Sequence, residues 1–284
     1  MARQPILTAV VGKKGVGKTF KTLQILHQYV QGSVGGSTFQ ARRVLILDVN
    51  DEFETVKSID LENVAWFSFH QKVDIRRVRP YKANGKKMSL DEVSAALSFI
   101  LENFKFGLLL VEDINKYVSD SIGKDLLGGI VTLRHYDCDI IMHFQTIGKV
   151  GNPKILGNLN ILRMHKTGDT VDRHVTKFED KYEIIKIAET IVGYKYRGTE
   201  LDGKFIEPNA RFFLYVNFDS EKITGDFNRR EAERAVREYL WVNEANVIKP
   251  MLRMRDEKGQ YIFPNDALAM KTKLAELMNL YFIF

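Results

Sequence analysis

The segment Gly12-Lys13-Lys14-Gly15-Val16-Gly17-Lys18-Thr19 restricts what this chain can fold into more than any other stretch. It has the complete P-loop spacing, a glycine, four residues, then Gly-Lys-Thr. It also stands in the setting that such a loop needs. Pro5 to Val11 is short, apolar and β-rich, and Thr19 to Val30 carries a helical pattern, so the reading is strand, loop, helix. Glycines at 12, 15 and 17 let backbone amides converge on phosphate oxygens without side chains in the way. Lys18 would then reach the β and γ phosphates of a nucleotide, most simply ATP, and the Thr19 hydroxyl would ligate Mg²⁺. The whole segment Gly12 to Thr19, with Lys13, Lys14 and Val16, is the expected nucleotide-binding loop.

Downstream, strand and helix patterns keep alternating. Val44 to Leu47 is a buried strand ending at Asp48, and Val64 to Phe69, rich in aromatics, reads as a third strand. Ser89-Leu90-Asp91-Glu92 has capping-box spacing and opens a helix to about Asn103. Phe106 to Val111 is a continuous apolar strand, Leu126 to Arg134 a helix, and Asp139 to Phe144 and Asn160 to Met164 are further strands. This alternation predicts an α/β fold, a P-loop NTPase core with a mainly parallel sheet flanked by helices. Gln31 to Gln40, glycine- and serine-rich, reads as a connector. From about Lys181 the pattern changes: a loop over Tyr194 to Pro208, a strand at Arg211 to Phe218, and helices at Arg229 to Val242 and Ala267 to Tyr281. The expected organisation is a core over 1–180 and a C-terminal strand-and-helix extension over 181–284 packed on it.

With 284 residues, a net charge of +6 and a pI near 9.1, the chain favours an acidic partner over a neutral one. Its single cysteine, Cys138, excludes an internal disulfide and points to a reducing compartment. No apolar stretch approaches a membrane span, and Met1-Ala2-Arg3-Gln4 runs into a strand rather than a signal peptide. The expectation is a soluble, cytoplasmic protein, in the host cytoplasm if it is viral. The histidines lack partners at metal-ligand spacing, and no nucleophile elbow is present.

The second chemical signal is Phe106-Gly107-Leu108-Leu109-Leu110-Val111-Glu112-Asp113, an apolar strand followed by two carboxylates, which is the form of a Walker B strand. One carboxylate at such a strand end holds the Mg²⁺ shell and its neighbour polarises the attacking water. By position Glu112 is the metal-side group, with Thr19, and Asp113 the base. The expected activity is Mg-dependent ATP hydrolysis.

Taken together, the P-loop, Asp48-Val49-Asn50-Asp51-Glu52-Phe53 after the second strand, Glu112-Asp113, Arg134-His135, Gln145, and Arg163 with Asp169 resemble the HerA and FtsK superfamily of DNA-pumping ATPases. The resemblance covers about Pro5 to Lys177. It implies a RecA/FtsK-like core working as a ring, usually a hexamer, that translocates double-stranded DNA. By the same resemblance Gln145 takes the γ-phosphate sensor position and Arg134 the arginine finger, with Arg163 and Arg173 as rivals for that finger. The chain lacks an FtsK-type membrane span and a HerA-type N-terminal barrel, and so is most similar to compact viral genome-packaging ATPases, which implies a portal or other virion protein as a partner. Arg76, Arg77, Arg79 and Lys82, read as part of a basic loop, are candidate DNA phosphate contacts in the ring channel. Two other readings stay open: a nucleotide-dependent switch or assembly ATPase acting on a protein partner, and a terminase-like motor without its own nuclease.

Overall fold

A computed structural model of the protein describes residues 4–34, 36–82, 84–113, 129, 136–201 and 203–284. The chain divides into two compact units, Met1–Leu162 with Thr167–Asp169, and Arg163–Lys166 with Thr170–Phe284.

The first unit is built on parallel strands. β1 (Leu7–Val11) leads into the phosphate loop, followed by helix α1 (Lys18–Val30). A small antiparallel ribbon, β2 (Ser33–Val34) and β3 (Ser37–Thr38), fills the glycine-rich connector. Then come β4 (Arg43–Leu47), helix α2 (Val64–Phe69), β5 (Ile75–Val78), helix α3 (Leu90–Asn103), β6 (Gly107–Val111), β7 (Asp139–Phe144) and the start of β8 (Ile161–His165). The strand order is β8-β1-β7-β6-β4-β5. The registers Leu7↔Ile140, Leu109↔Ile140, Leu45↔Leu109 and Leu45↔Arg76 are all parallel. Leu108 to Val111 and Ile140 to Phe144 are buried throughout, because a parallel sheet covered on both faces needs apolar side chains in both directions. One face packs on α1 through Leu26 and Tyr29, against Val44, Ile46, Leu108 and Leu110. At Gly107 a Cβ would stand 2.6 Å from the Arg43 carbonyl oxygen, so the first position of β6 must be glycine for β4 to approach.

Buried polar groups set the register. Asp139 accepts from the Ile6 amide at 2.8 Å and from Tyr29 Oη at 2.6 Å, tying β1, β7 and α1 together. The expected capping box at Ser89 and Glu92 is present, with Glu92 N donating to Ser89 Oγ at 3.3 Å and Ser89 N to Glu92 Oε2 at 2.9 Å. Cys138 is buried, and burial pushes its thiol up to about 12.

Val64 to Phe69 is not the third strand. It is helical, with Val64, Phe67 and Ser68 turned inward and Trp66 and Phe69 outward, a spacing that fits 3.6 and not 2. Ser68 Oγ donates to the Val64 carbonyl at 3.1 Å, and the strand role passes to Ile75–Val78. The helix expected at Leu126 to Arg134 lies outside the described residues.

In the second unit the end of β8 is followed by the long helix Tyr182–Arg197, the hairpin β9 (Thr199–Leu201) and β10 (Lys204–Ile206), then β11 (Phe213–Asn217) and β12 (Lys222–Gly225). Here the order is β8-β11-β12, and β11 and β12 are antiparallel, Leu214 facing Gly225. Helices Arg229–Val242, Glu244–Met251 and Asp266–Tyr281 complete it. Tyr194 to Pro208 is therefore not a loop: its first turn ends the long helix, and Gly203, at φ 73°, lets β9 fold back on β10. Lys195 pairs at 2.8 Å with the buried Glu231 of the Arg229–Val242 helix, so one helix end is fixed on the next by charge. No helix among the described residues is long and apolar enough to cross a membrane.

Candidate nucleotide site

The loop begins where β1 ends, at the carboxyl edge of the parallel sheet, where α/β folds place ligands. Gly12 N donates to the Phe144 carbonyl at 3.1 Å, which anchors the loop to the end of β7. Gly15 and Gly17 both have φ 84°, a left-handed conformation in which any other residue would be strained. Val16 is buried and pins the loop's middle. Gly17 is the N-cap of α1, no side chain caps the helix, and its first turn has no acidic residue, so amides and macrodipole favour an anion. The Lys18 ammonium folds back on the loop, donating to the Gly12 carbonyl and, at 2.9 Å, to that of Lys13. Beneath the loop, Thr22 Oγ1 and His143 Nε2 are 2.8 Å apart in the core, joining α1 to β7. Sequence reasoning left this pair out, and a polar residue in an apolar strand was its only signal.

Neighbouring strands bring further polar groups to the same edge. Glu112 and Asp113 follow β6, Asp48 follows β4 and Gln145 follows β7. Gln145 Nε2 donates to Asp113 Oδ1 at 2.8 Å, and Asn50 Nδ2 to Asp113 Oδ2 at 3.3 Å. Glu112 and Asp113 are 3% and 5% exposed, too buried for ordinary surface acids. Burial, then the charges of Glu52, Asp48 and Asp113, push the Glu112 carboxyl up to about 9. A carboxyl whose ionisation is opposed by burial and by neighbouring negative charge fits a divalent cation, whose arrival would favour the ionised form. Thr19, in the first turn of α1, and Glu112 are the residues that would hold Mg²⁺. No three His, Cys, Asp or Glu side chains among the described residues close on one metal position, so such a cation would draw its other ligands from phosphate and water.

Asp48 has a different task from the acids beside it. Fully buried, it accepts from the Glu52 and Phe53 amides at 2.9 and 3.0 Å and from Arg77 Nη1 at 2.7 Å. Arg77 is 7% exposed and also donates to Asp51 at 2.7 Å. Removing one partner of such a pair leaves a buried charge uncompensated. Arg77→Ala is expected to lower unfolding free energy by about 3 kcal/mol or more, whereas Arg76→Ala should cost under about 1 kcal/mol. Urea titrations of the two variants check the difference.

The basic segment is not the loop the sequence suggested. Arg76 and Arg77 lie in β5, and Arg77 points inward. Arg76 pairs with Asp74 at 2.9 Å, Arg79 with Asp51 at 2.6 Å and Lys82 with Glu92. Each cation therefore rests on a carboxylate, and the segment shows less net positive charge than its composition. At the opposite, amino-terminal end of β5, a cavity of about 240 Å³ is lined by Ile59, Trp66, Phe67, His70, Lys72, Asp74 and Arg76, away from the phosphate loop. Of the finger candidates, Arg134 and its neighbour His135 lie outside the described residues. Arg163 is 1% exposed, with its guanidinium over the Phe213 ring at 5.9 Å. Arg173 is exposed, in a short 3-10 turn.

A mainly parallel sheet flanked by helices, with a phosphate loop between its first strand and first helix, is the α/β fold of P-loop NTPases. No family model and no curated protein matches the sequence. Among solved structures, the chain is similar to the genome packaging NTPase B204 from Sulfolobus turreted icosahedral virus 2 in complex with AMP, at 13% identity and TM-score 0.52, over 78% of this chain and 98% of that one. B204 from Sulfolobus turreted icosahedral virus, a DNA-packaging ATPase, aligns at 12% identity and TM-score 0.48, over 78% and 97%. The pCW3 conjugation coupling protein TcpA, with ATPγS, aligns at 9% and 0.39, over 76% and 58%. At these identities the likeness is one of fold.

Proposed function

We propose that the protein is a Mg-dependent ATPase that translocates double-stranded DNA, a packaging motor of viral type working as a hexameric ring. The observation that carries the ATPase part is the meeting of Asp113 and Gln145, from adjacent strands, at the edge where Lys18 and the glycine loop stand. Phosphates would sit on the amides of Gly12 to Thr19, with Lys18 exchanging two loop carbonyls for phosphate oxygens. Thr19 and Glu112 would hold Mg²⁺, which would supply charge neutralisation to the phosphates. Asp113 accepts the proton of the attacking water, and Gln145, bonded to that carboxylate, reports the state of the γ-phosphate. The arginine finger is assigned to Arg134, with Arg173 as its rival. The DNA part is supported by the net charge of +6 and by the fold shared with the packaging NTPase B204. Of the four proposed DNA contacts, Arg76, Arg79 and Lys82 are better placed than Arg77.

The experiment is ATP turnover with and without long linear duplex DNA, together with the mass of the assembled particle. Turnover should rise with DNA, and DNA affinity should fall steeply with salt. ATP hydrolysis indifferent to DNA but raised by a protein partner would replace the motor with the nucleotide-dependent switch.

A further inference from the structure

Three large aromatic side chains of the first unit stand outside its core. Trp66 is 60% exposed, Phe69 65% and Phe106 47%. Trp66 and Phe69 are three positions apart on α2 and so share a face, and the Phe69 ring meets that of Phe106 edge-on at 6.1 Å. Single exposed apolar residues are ordinary, but neighbouring aromatics left outside a core mark an interaction surface. Phe106 also has φ 58°, a strained conformation for an aromatic residue, and its amide donates to the Tyr136 carbonyl at 3.1 Å. Packing at this place is supplied by Phe104, fully buried and stacked on Phe67, so the core does not account for Phe106.

Trp66 also lines the cavity at the amino-terminal end of β5. At about 240 Å³ it falls below the roughly 300 Å³ at which pockets for drug-sized ligands begin, and suits one inserted side chain. Trp66, Ile59 and the buried Phe67 give it apolar walls. The Trp66 indole leans on the His70 imidazole, with centroids 4.4 Å apart, which limits its freedom to turn.

Charge stands beside these walls. Asp74 is already engaged: Oδ1 accepts from the Ile75 amide at 2.8 Å and Oδ2 pairs with Arg76 at 2.9 Å. Lys72 lines the same cavity and is exposed, and no carboxylate among the described residues pairs with it. Nor is the sheet edge open here, because Arg77 of β5 already bonds the Lys57 carbonyl at 3.1 Å and the Ile59 amide at 2.9 Å. A ligand at this place is therefore held by its side chains and not by strand addition.

We propose that this surface docks a protein partner through an acidic peptide segment with one aromatic anchor. The anchor ring enters the cavity against Trp66 and Phe67, and a flanking carboxylate meets Lys72. A nucleic-acid strand carries a phosphate at every residue, whereas the cavity offers one unpaired lysine among the described residues and a carboxylate of its own, Asp74. A second copy of the chain carries the same net charge of +6 and is repelled, while an acidic segment is attracted. The inference stands apart from the reading of the chain as an ATPase, since it uses none of the nucleotide-site residues.

The chain has two tryptophans, Trp66 and Trp241, so in a Trp241→Phe protein tryptophan emission reports Trp66 alone. Trp241 is 75% exposed, and its replacement leaves the core intact. The probe is the peptide acetyl-Gly-Glu-Glu-Phe-Glu-Glu-Gly-amide, titrated into the full chain beside a version with Ala for Phe, a version with Lys for every Glu, and oligothymidylate. The Glu/Phe peptide should move Trp66 emission to shorter wavelength and saturate. Its affinity should exceed that of the Ala version by roughly 10-fold or more, the size of a lost anchor. Lys72→Glu, at an exposed position, should weaken the Glu/Phe peptide by roughly 10-fold and strengthen the Lys version, a reversal that misfolding does not produce. Absence of any shift, an equal shift with the Ala version, or an unchanged preference in Lys72→Glu overturns the proposal. Saturation by oligothymidylate below the peptide's concentration would make this a nucleic-acid surface instead. A shift that grows with protein concentration alone, with a doubled particle mass, would make it a contact between copies. Either result also overturns the acidic-peptide assignment.

Discussion

Lys18→Ala is expected to reduce ATP turnover by roughly 100- to 1000-fold, the range for loss of one preorganised electrostatic group, and to weaken nucleotide binding as well. The effect is large because of where the ammonium stands. Its Nζ lies against the carbonyls of Gly12 and Lys13, in the loop that would receive the phosphates. Loop amides remain after the substitution, so some phosphate affinity should persist. Calorimetric titration with a non-hydrolysable ATP analogue, alongside phosphate release, separates the two losses. Turnover at the wild-type level would remove the phosphate-loop assignment. A variant that binds as the wild type but does not turn over would confine Lys18 to the transition state.

Asp113→Asn should leave nucleotide binding nearly intact while kcat falls roughly 100- to 10,000-fold, the range for a positioned general base. Asparagine keeps the shape at this buried position but cannot take a proton, and it turns an amide toward a donor that now faces carboxylate oxygens. Glu112→Gln should behave differently. Burial and its acidic neighbours favour the neutral form of Glu112, so glutamine, which carries no charge, should change the unfolding temperature of the nucleotide-free protein little. Its cost should appear as weaker Mg²⁺-dependent nucleotide binding. Comparing affinity with and without Mg²⁺ for both variants distinguishes them. If Glu112→Gln binds Mg-nucleotide normally and fails only in turnover, the two carboxylates exchange roles.

Parts of this site were legible in the primary structure and parts were not. Gly12 to Thr19 could be read because the loop is contiguous and its glycines are needed for backbone shape, as the φ values at Gly15 and Gly17 reflect. Glu112-Asp113 could be read because a continuous apolar strand ends in them. Asn50 carries no local signal of its contact with Asp113, which joins residues 63 positions apart. In sequence Arg77 is indistinguishable from its basic neighbours, because charge does not reveal which side of a strand a residue faces. Once β5 pairs with β4, Ile46 stands opposite Arg77, and its guanidinium turns in toward the end of β4 at Asp48.

The same division holds for the fold. Local pattern alone determined the strand-loop-helix unit, the apolar central strands and the capped helix at Ser89, because each depends on residues within a few positions of one another. Val64 to Phe69 was decided by tertiary structure. Its aromatic residues favour a strand in isolation, yet burying Val64, Phe67 and Ser68 on one side while leaving Trp66 and Phe69 outside is possible only for a helix. Propensity in such a short run is worth less than the burial of its side chains, and burial is defined only when the rest of the chain is in place.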